Sequence, residues 1–338
     1  MKAVPEQVAV IGAGSWGTTV ATLAVAHAPT MLWARHDAVA KAVNRRHENP
    51  DYLPGTPLPP GLRASSALSE VLAGATVVLM AVPSHGFRQV LEDLAPHVGS
   101  DVPVVSLTKG LERGTHLRMT ELVTNVLPGR PVGVLTGPNL AVEILVGQPA
   151  AGVVALADGD VARRVQALLF SPTFRVYTNP DVVGCEIAGA LKNVLAVAAG
   201  VSDGLGFGDN TRAALITRGL AELSRLGAAL GGAPMTFAGL AGVGDLVATA
   251  TSEKSRNRSV GLALGQGRSL ADVLAGMHMV AEGVKTARPM VELAASVGVE
   301  VPIAAQVAEL LDGRTTPKDA ISALMLRPAR AEFTTGRR

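Results

Sequence analysis

Val8-Ala9-Val10-Ile11-Gly12-Ala13-Gly14-Ser15-Trp16-Gly17 decides the fold. Four apolar residues in a row read as a buried parallel strand, and they run directly into a G-x-G-x-x-G turn. Thr18 to Ala28 then reads as helix. Strand, glycine turn and helix in that order form the dinucleotide fingerprint. Gly12 serves the tight turn, Gly14 the close approach of backbone to a pyrophosphate, and Gly17 the packing of helix on strand, while the helix N-terminus faces the anion. In a chain with 37 glycines a lone match is a weak signal, but its place after the first strand strengthens it.

Working outward, Thr30 to Ala34 reads as the second strand. An NAD-specific site would place an acid at its end for the ribose 2′-hydroxyl, but here stand Ala34-Arg35-His36, with Asp37 late. A missing carboxylate beside a cation favours the 2′-phosphate of NADP. Ala75–Val82, Val102–Leu107 and Val132–Leu135 are further strands. They end in Pro83-Ser84-His85, Thr108-Lys109-Gly110 and Thr136-Gly137-Pro138-Asn139. Strands alternating with helices predict a doubly wound parallel sheet, an α/β Rossmann-type fold, with ligands beyond the strands' carboxyl ends. The unusual loops all fall at that end. Ala150–Leu156 and Phe174–Thr178 extend the sheet at one edge.

After Asn179-Pro180 the texture becomes Ala/Leu/Gly-rich helix. We expect a dinucleotide-binding domain over 1–182, an all-helical substrate-binding domain over 183–327 and a disordered basic tail over 328–338. The first helix of the second domain, Glu186 to Gly200, is apolar nearly all round and interrupted by Lys192-Asn193. Such a helix is normally buried. A buried lysine is a candidate general acid/base, because desolvation works against its charge; the alternative is a side chain that snorkels to solvent. Its stripe-mates Ala188, Ala196 and Ala199 are small enough to admit a ligand.

Composition sets bounds. The 338 residues suggest two domains. Lys+Arg 30 against Asp+Glu 28 gives +2, too balanced for a nucleic-acid partner. The single cysteine, Cys185, excludes an internal disulfide framework, and no nearby His supports it as a nucleophile. The seven His have no metal-ligand spacing, so no metal is expected. With no signal core before the first strand, we expect a cytoplasmic protein without integral membrane association.

Three stretches of the second half remain. Ser202–Asn210 lacks the acids of a calcium loop and reads as a turn or mobile lid. Gly239–Asp245 is a glycine cluster with no strand before it, which argues against a second dinucleotide site. In Ser252–Arg258, the hydroxyl, guanidinium and amide of Ser255, Arg256 and Asn257 suit phosphate recognition. Lys254 and Arg258 read as a solvated helix start. Glu282-Gly283 holds an acceptor for an amide or ribose.

Taken in order, GAGSWG (12–17), VPSH (82–85), SLTKG (106–110), LTGPN (135–139), FRVYTNPD (174–181), GALKN (189–193), the block 201–222, GLAGVGDL (239–246) and KSRNR (254–258) resemble bacterial NAD(P)-dependent sn-glycerol-3-phosphate dehydrogenase over roughly Val8 to Arg327. The resemblance implies reduction of dihydroxyacetone phosphate with NADPH or NADH (cofactors NADP, NAD) and supply of the glycerophospholipid backbone. It implies Lys192 as proton-transfer residue. Lys109, Asp245, Ser255, Arg256 and Asn257 match its substrate contacts, and Gly137, Asn139 and Asn193 are expected to line the substrate; Asn139 stands where many members have Thr. Ser15, Trp16, Arg35, His36, Lys109, Ala141, Arg256, Val280 and Glu282 match cofactor positions, beside Gly12, Gly14 and Gly17. A homodimer through the helical domain is a further implication. Two rivals remain open at this point: a β-hydroxyacid dehydrogenase, which would bind a carboxylate, and a redox sensor that binds NAD(P)H without turnover.

Overall fold

The computed structural model describes residues 5–277, 281–329 and 331–332. The first half alternates β1 (Val8–Ile11), α1 (Ser15–Ala24), β2 (Thr30–Trp33), α2 (Asp37–Arg46), β3 (Arg63–Ser65), α3 (Leu68–Leu72), β4 (Val77–Met80), α4 (Phe87–Leu94), β5 (Val104–Ser106), α5 (Met119–Val126), β6 (Val132–Thr136), α6 (Ala141–Leu145), β7 (Ala150–Leu156), α7 (Gly159–Leu169) and β8 (Phe174–Asn179). All eight strands share one sheet in the order β3-β2-β1-β4-β5-β6-β7-β8. β1 and β4 are wholly buried because apolar layers cover both faces of the sheet, which is why their sequences are continuous apolar runs.

Two details depart from the sequence reading. β3, with only Ala64 apolar between Arg63 and Ser65, carries no strand signal and pairs with β2 through its tertiary position. The sheet is parallel except where β7 pairs antiparallel with β6. The segment after β6 stays at the carboxyl end of the sheet and forms α6 there, so no crossover returns the chain to the other edge.

Among the described residues helices alone follow: α8 (Val182–Gly204), α9 (Asp209–Ala229), α10 (Pro234–Phe237), α11 (Asp245–Thr251), α12 (Arg256–Gly265), α13 (Leu270–Ala275), α14 (Glu282–Ser296), α15 (Pro302–Leu311) and α16 (Pro317–Met325). α8 is the axle of this half, buried at every residue from Gly184 to Ser202. By length and hydropathy it is apolar enough to cross a membrane, but 89% of its most apolar window is buried inside the protein. It also packs on the sheet, sharing one apolar cluster with Val134, Val153 and Ala155.

Three carboxylates tie α8 to its surroundings. Asp181 caps its start, accepting from the Gly184 N–H at 2.8 Å. Glu186 reaches α5, accepting from the Thr120 N–H at 2.9 Å. Asp203, in the last turn, accepts from Arg258 on α12 at 2.6 Å and from Arg212 on α9 at 2.8 Å. Of the two readings of Ser202–Asn210 the turn stands, at Leu205 and Gly206, while Ser202 and Asp203 belong to the end of α8, where two guanidiniums hold Asp203. Arg258 departs from expectation, half-buried in an ion pair instead of solvated.

α8 and α12 touch backbone to backbone. A Cβ on Gly200 would lie 2.0 Å from the Arg258 carbonyl oxygen, and one on Gly261 would lie 2.0 Å from that of Val197. Gly204 and Gly265 repeat the contact one turn on. Glycine at all four places is a steric demand of close approach, and it brings the helix bearing Lys192 against the one bearing Arg256.

Candidate active site

A cleft of about 550 Å³ opens between the carboxyl ends of the strands and the helical half. Its floor is the glycine turn. Gly12 has φ +118°, and a Cβ there would lie 2.7 Å from the Ala81 carbonyl oxygen. A Cβ on Gly17 would meet the Gly12 oxygen at 1.9 Å. Around Gly14, by contrast, a Cβ would find nothing within 4 Å. Two of the glycines thus close the turn and the third keeps a space open on the cleft side. No side chain caps α1, so its first N–H groups are free for an anion. This open cradle fits a dinucleotide's pyrophosphate.

Ser15, Trp16, Arg35, His36, Ala141 and Glu282 all line the same cleft. Trp16 is held edge-on to Phe174, centroids 6.3 Å apart. Arg35 and His36 are exposed at the rim after β2. Asp37 turns to its own helix, pairing with Lys41 at 2.6 Å, and leaves the rim cationic. Glu282 accepts from the Ser84 hydroxyl at 2.7 Å and so joins α14 to the loop after β4. Val280 lies outside the described residues, as do the tail residues 330 and 333–338.

At the far end, Asp245 sits between two ammonium groups. Its Oδ1 accepts from Lys192 Nζ at 2.8 Å and its Oδ2 from Lys109 Nζ at 2.6 Å. A π-helical turn over Leu240–Gly244, the glycine cluster of the sequence, leads into Asp245 at the start of α11. Lys109 also donates to the Gly137 carbonyl at 3.0 Å and to Asn139 Oδ1 at 2.6 Å. Its three N–H bonds are therefore all engaged. Burial pushes its pKa down to about 7, with Asp245 opposing and Lys192 adding to the fall. Among the described residues Lys192 donates otherwise only to Thr249 Oγ1, at 2.6 Å. Buried at 6% side-chain exposure, it does not snorkel; one N–H remains, and the residue lines the cleft.

The remaining predicted residues divide. Arg256 lines the cleft and donates to no group among the described residues. Ser255 is the N-cap of α12, accepting from the Arg258 N–H, which is the capping alternative to phosphate binding. Asn257 donates to Asn193 Oδ1 at 3.0 Å and accepts from the Gly283 N–H at 2.9 Å, so its amide chiefly joins α12 to α8 and α14. All three still border the cleft, with Asn193 and Asn139. Gly137 does not, and contributes only its carbonyl. Thr249 escaped the sequence reading. Its place four residues after Asp245, on one helix face, was the available signal.

The family model for the N-terminus of NAD-dependent glycerol-3-phosphate dehydrogenase matches residues 7–162, and that for the C-terminus matches 181–322. The chain is 56% identical over 319 residues to glycerol-3-phosphate dehydrogenase [NAD(P)+] 2 of Sphingopyxis alaskensis, covering 94% of this chain and 96% of that one. It is 50% identical over 333 residues to glycerol-3-phosphate dehydrogenase [NAD(P)+] of Rhodospirillum rubrum, covering 98% and 95%. Among solved structures, glycerol-3-phosphate dehydrogenase from Coxiella burnetii superposes with a TM-score of 0.91 at 37% identity, covering 96% of this chain and all of that one.

Proposed function

The chain belongs to the NAD-dependent glycerol-3-phosphate dehydrogenase family, and from that premise we propose which of its residues perform the reaction. The enzyme interconverts dihydroxyacetone phosphate and glycerol 3-phosphate with NAD(P)H. When bound, the nicotinamide supplies the hydride. Gly12 to Gly17 and the start of α1 hold the pyrophosphate, Arg35 and His36 meet the adenosine ribose or its 2′-phosphate, and Glu282 and Ala141 border the remainder of the cofactor.

The observation that carries the assignment of roles is the hydrogen-bond inventory of the two lysines. Lys109 is saturated by Asp245, Gly137 and Asn139, whereas Lys192 keeps one N–H for the cleft. Lys192 therefore donates its proton to the oxygen that becomes the secondary hydroxyl, and recovers it in the reverse direction. Asp245 stabilises both ammoniums and fixes where they stand. Lys109 holds Asp245 and Asn139 in place and adds positive charge behind the developing alkoxide. Arg256, which donates no hydrogen bond among the described residues and is balanced by the charge of Glu282 across the cleft, takes the substrate phosphate with a planar pair of donors. Ser255 and Asn257 position it from either side in sequence.

Residues 1–182 form the dinucleotide-binding unit and 183–327 the substrate-binding unit, with the cleft between them. NADPH binds at least as well as NADH because the rim after β2 offers a guanidinium and no free carboxylate. The enzyme works in the cytoplasm as a homodimer without inserting into a membrane, supplying the glycerol phosphate of phospholipids. Loss of NADPH absorbance with dihydroxyacetone phosphate, dihydroxyacetone, and 2- and 3-keto acids tests the reading. Turnover confined to the phosphorylated ketone supports it, and turnover of a keto acid alone would replace it.

A further inference from the structure

Glu186 is a buried carboxylate that the mechanism above does not use. It lies on α8, six residues before Lys192, about 9 Å back along the axis at 1.5 Å per residue. Its partners come from a different part of the chain. Oε1 accepts from the Thr120 N–H at 2.9 Å, and Oε2 accepts from the Thr120 hydroxyl and from Arg118 Nη1 at 2.9 Å. Arg118 also caps α5, holding Glu121 at 2.8 Å.

The path from these partners leads back to the reacting end of the cleft. Arg118 bridges Leu111 across the base of the loop that leaves β5, and Leu111 is two residues from Lys109. The same loop is closed again by Glu112 N–H donating to the Leu117 carbonyl at 2.9 Å. Thus the loop that carries Lys109 and the helix that carries Lys192 are joined twice. In front, the joint is Asp245, which accepts from both lysines. Behind, it is Glu186, which accepts from Thr120 and Arg118. One attachment is made by the Lys192 side chain itself and the other by Glu186 six residues nearer the helix start, so the Lys109 loop holds this helix at two separate points along its length. On the same side of α8, Gly189 leaves no room to drift, since a Cβ there would lie 3.0 Å from Thr136 Oγ1 and 3.4 Å from the Lys109 chain.

We propose that Glu186 is a positioning residue for the proton-transfer step, locking the Lys192 helix to the Lys109 loop through Thr120 and Arg118. It acts through Lys192 and touches neither substrate nor cofactor, so the proposal rests on Lys192 as the proton donor. The energetic case is that a buried acceptor of this kind is strongly coupled to its donors, and its loss leaves the Thr120 N–H without its acceptor and Arg118 turned to Glu121. A displacement of the amine by about 1 Å would lower the rate on the order of 10²-fold without greatly changing ground-state binding.

The experiment is a double-mutant cycle of Glu186→Gln and Lys192→Ala, with kcat and KM for dihydroxyacetone phosphate and Kd for NADPH measured on each folded protein. Glu186→Gln should lower kcat by about 10- to 100-fold, with KM and NADPH Kd within about threefold. Added to Lys192→Ala, it should cost almost nothing further, because its effect runs through an amine already gone. Thr120→Val and Thr120→Ser provide the same test if Glu186→Gln fails to fold. The valine should lose kcat, and the serine, which keeps the hydroxyl, should recover most of it. Equal losses on top of Lys192→Ala and on wild type, or a wild-type kcat in Glu186→Gln, would overturn the proposal. A folded Lys192→Ala enzyme with a near wild-type kcat would instead overturn the reading on which it rests.

Discussion

The two ends of the cleft are built in opposite ways. The dinucleotide end is backbone, six consecutive residues whose value lies in missing side chains: Gly12 and Gly17 have no room for a Cβ, and Gly14 keeps its room unfilled. The substrate end is made of side chains from five segments, with partners as far apart in sequence as Lys109 and Asp245, 136 residues. There, among the described residues, nearly every donor and acceptor is used up by another, and what is left over, one N–H of Lys192 and the guanidinium of Arg256, is what the proposed roles give to the substrate. A site of the first kind is set by local sterics and depends on no distant partner. A site of the second kind is a closed network in which each residue's geometry depends on the others.

The contrast is broken most severely at Lys192. Lys192→Ala should lower kcat by roughly 10²–10⁴ while NADPH binding, which belongs to the other end, survives. Fluorescence titration of the cofactor beside steady-state rates decides it, and a near wild-type kcat in a folded variant would end the assignment. Next comes Arg256→Ala. Removing one partner of a buried, hydrogen-bonded charge pair typically costs about 2–5 kcal/mol, so kcat/KM for dihydroxyacetone phosphate should fall by about 30-fold to several thousand-fold, with kcat falling as well as KM rising. Unphosphorylated dihydroxyacetone, already poor, should hardly change. The same factor lost on both substrates would remove Arg256 from the phosphate.

At the backbone end a single side chain is expected to matter, and to a lesser degree. Arg35→Ala should weaken NADPH by about 1.5–3 kcal/mol, the range for a hydrogen bond to a charged group, and leave NADH nearly unaffected. Equal loss of both cofactors would show that Arg35 does not read the 2′-phosphate. The smallest effect concerns Lys109. A lysine held at about 7 in the folded chain and near its ordinary value of about 10.4 in the unfolded one carries fewer protons folded than unfolded between those values. Stability therefore rises with pH across that window. Lys109→Met should flatten the rise in Tm between pH 7 and 10; parallel curves for the two proteins would contradict the assignment.

The same contrast explains what the sequence made legible. The turn at Gly12–Gly17 was readable because its causes are contiguous: a buried strand before, a helix after, glycines between. Lys192 was readable because an ammonium in an apolar helix is anomalous on local grounds. Its partner Thr249, the Glu186 joint, the Asp203–Arg258 pair and the α8–α12 glycine seam were not. Each is defined by a neighbour tens of residues away, and within its own segment each looks ordinary. Ser255 shows the converse. Its residue type suited both phosphate binding and helix capping, and in the folded chain its hydroxyl accepts from the Arg258 N–H. β3 and the antiparallel β7 were invisible as such for the same reason, since strand direction and a three-residue edge are properties of the sheet.

The glycine seam has a consequence for the order in which this protein is made. α8 leaves the ribosome well before the helix that covers it: about sixty residues separate the end of α8 from the end of α12. At roughly 5–20 residues per second, a helix of membrane-spanning length and hydropathy waits on the order of several seconds without its cover. A bilayer is a competing destination during that interval. Lys192 near its middle opposes the competition, because a lysine at the centre of a spanning helix costs about 2.5–3.5 kcal/mol on insertion, and Glu186 and Asp203 toward its ends raise the barrier further. The amine assigned to proton transfer thus also makes this helix a poorer candidate for a bilayer than its length and hydropathy alone suggest.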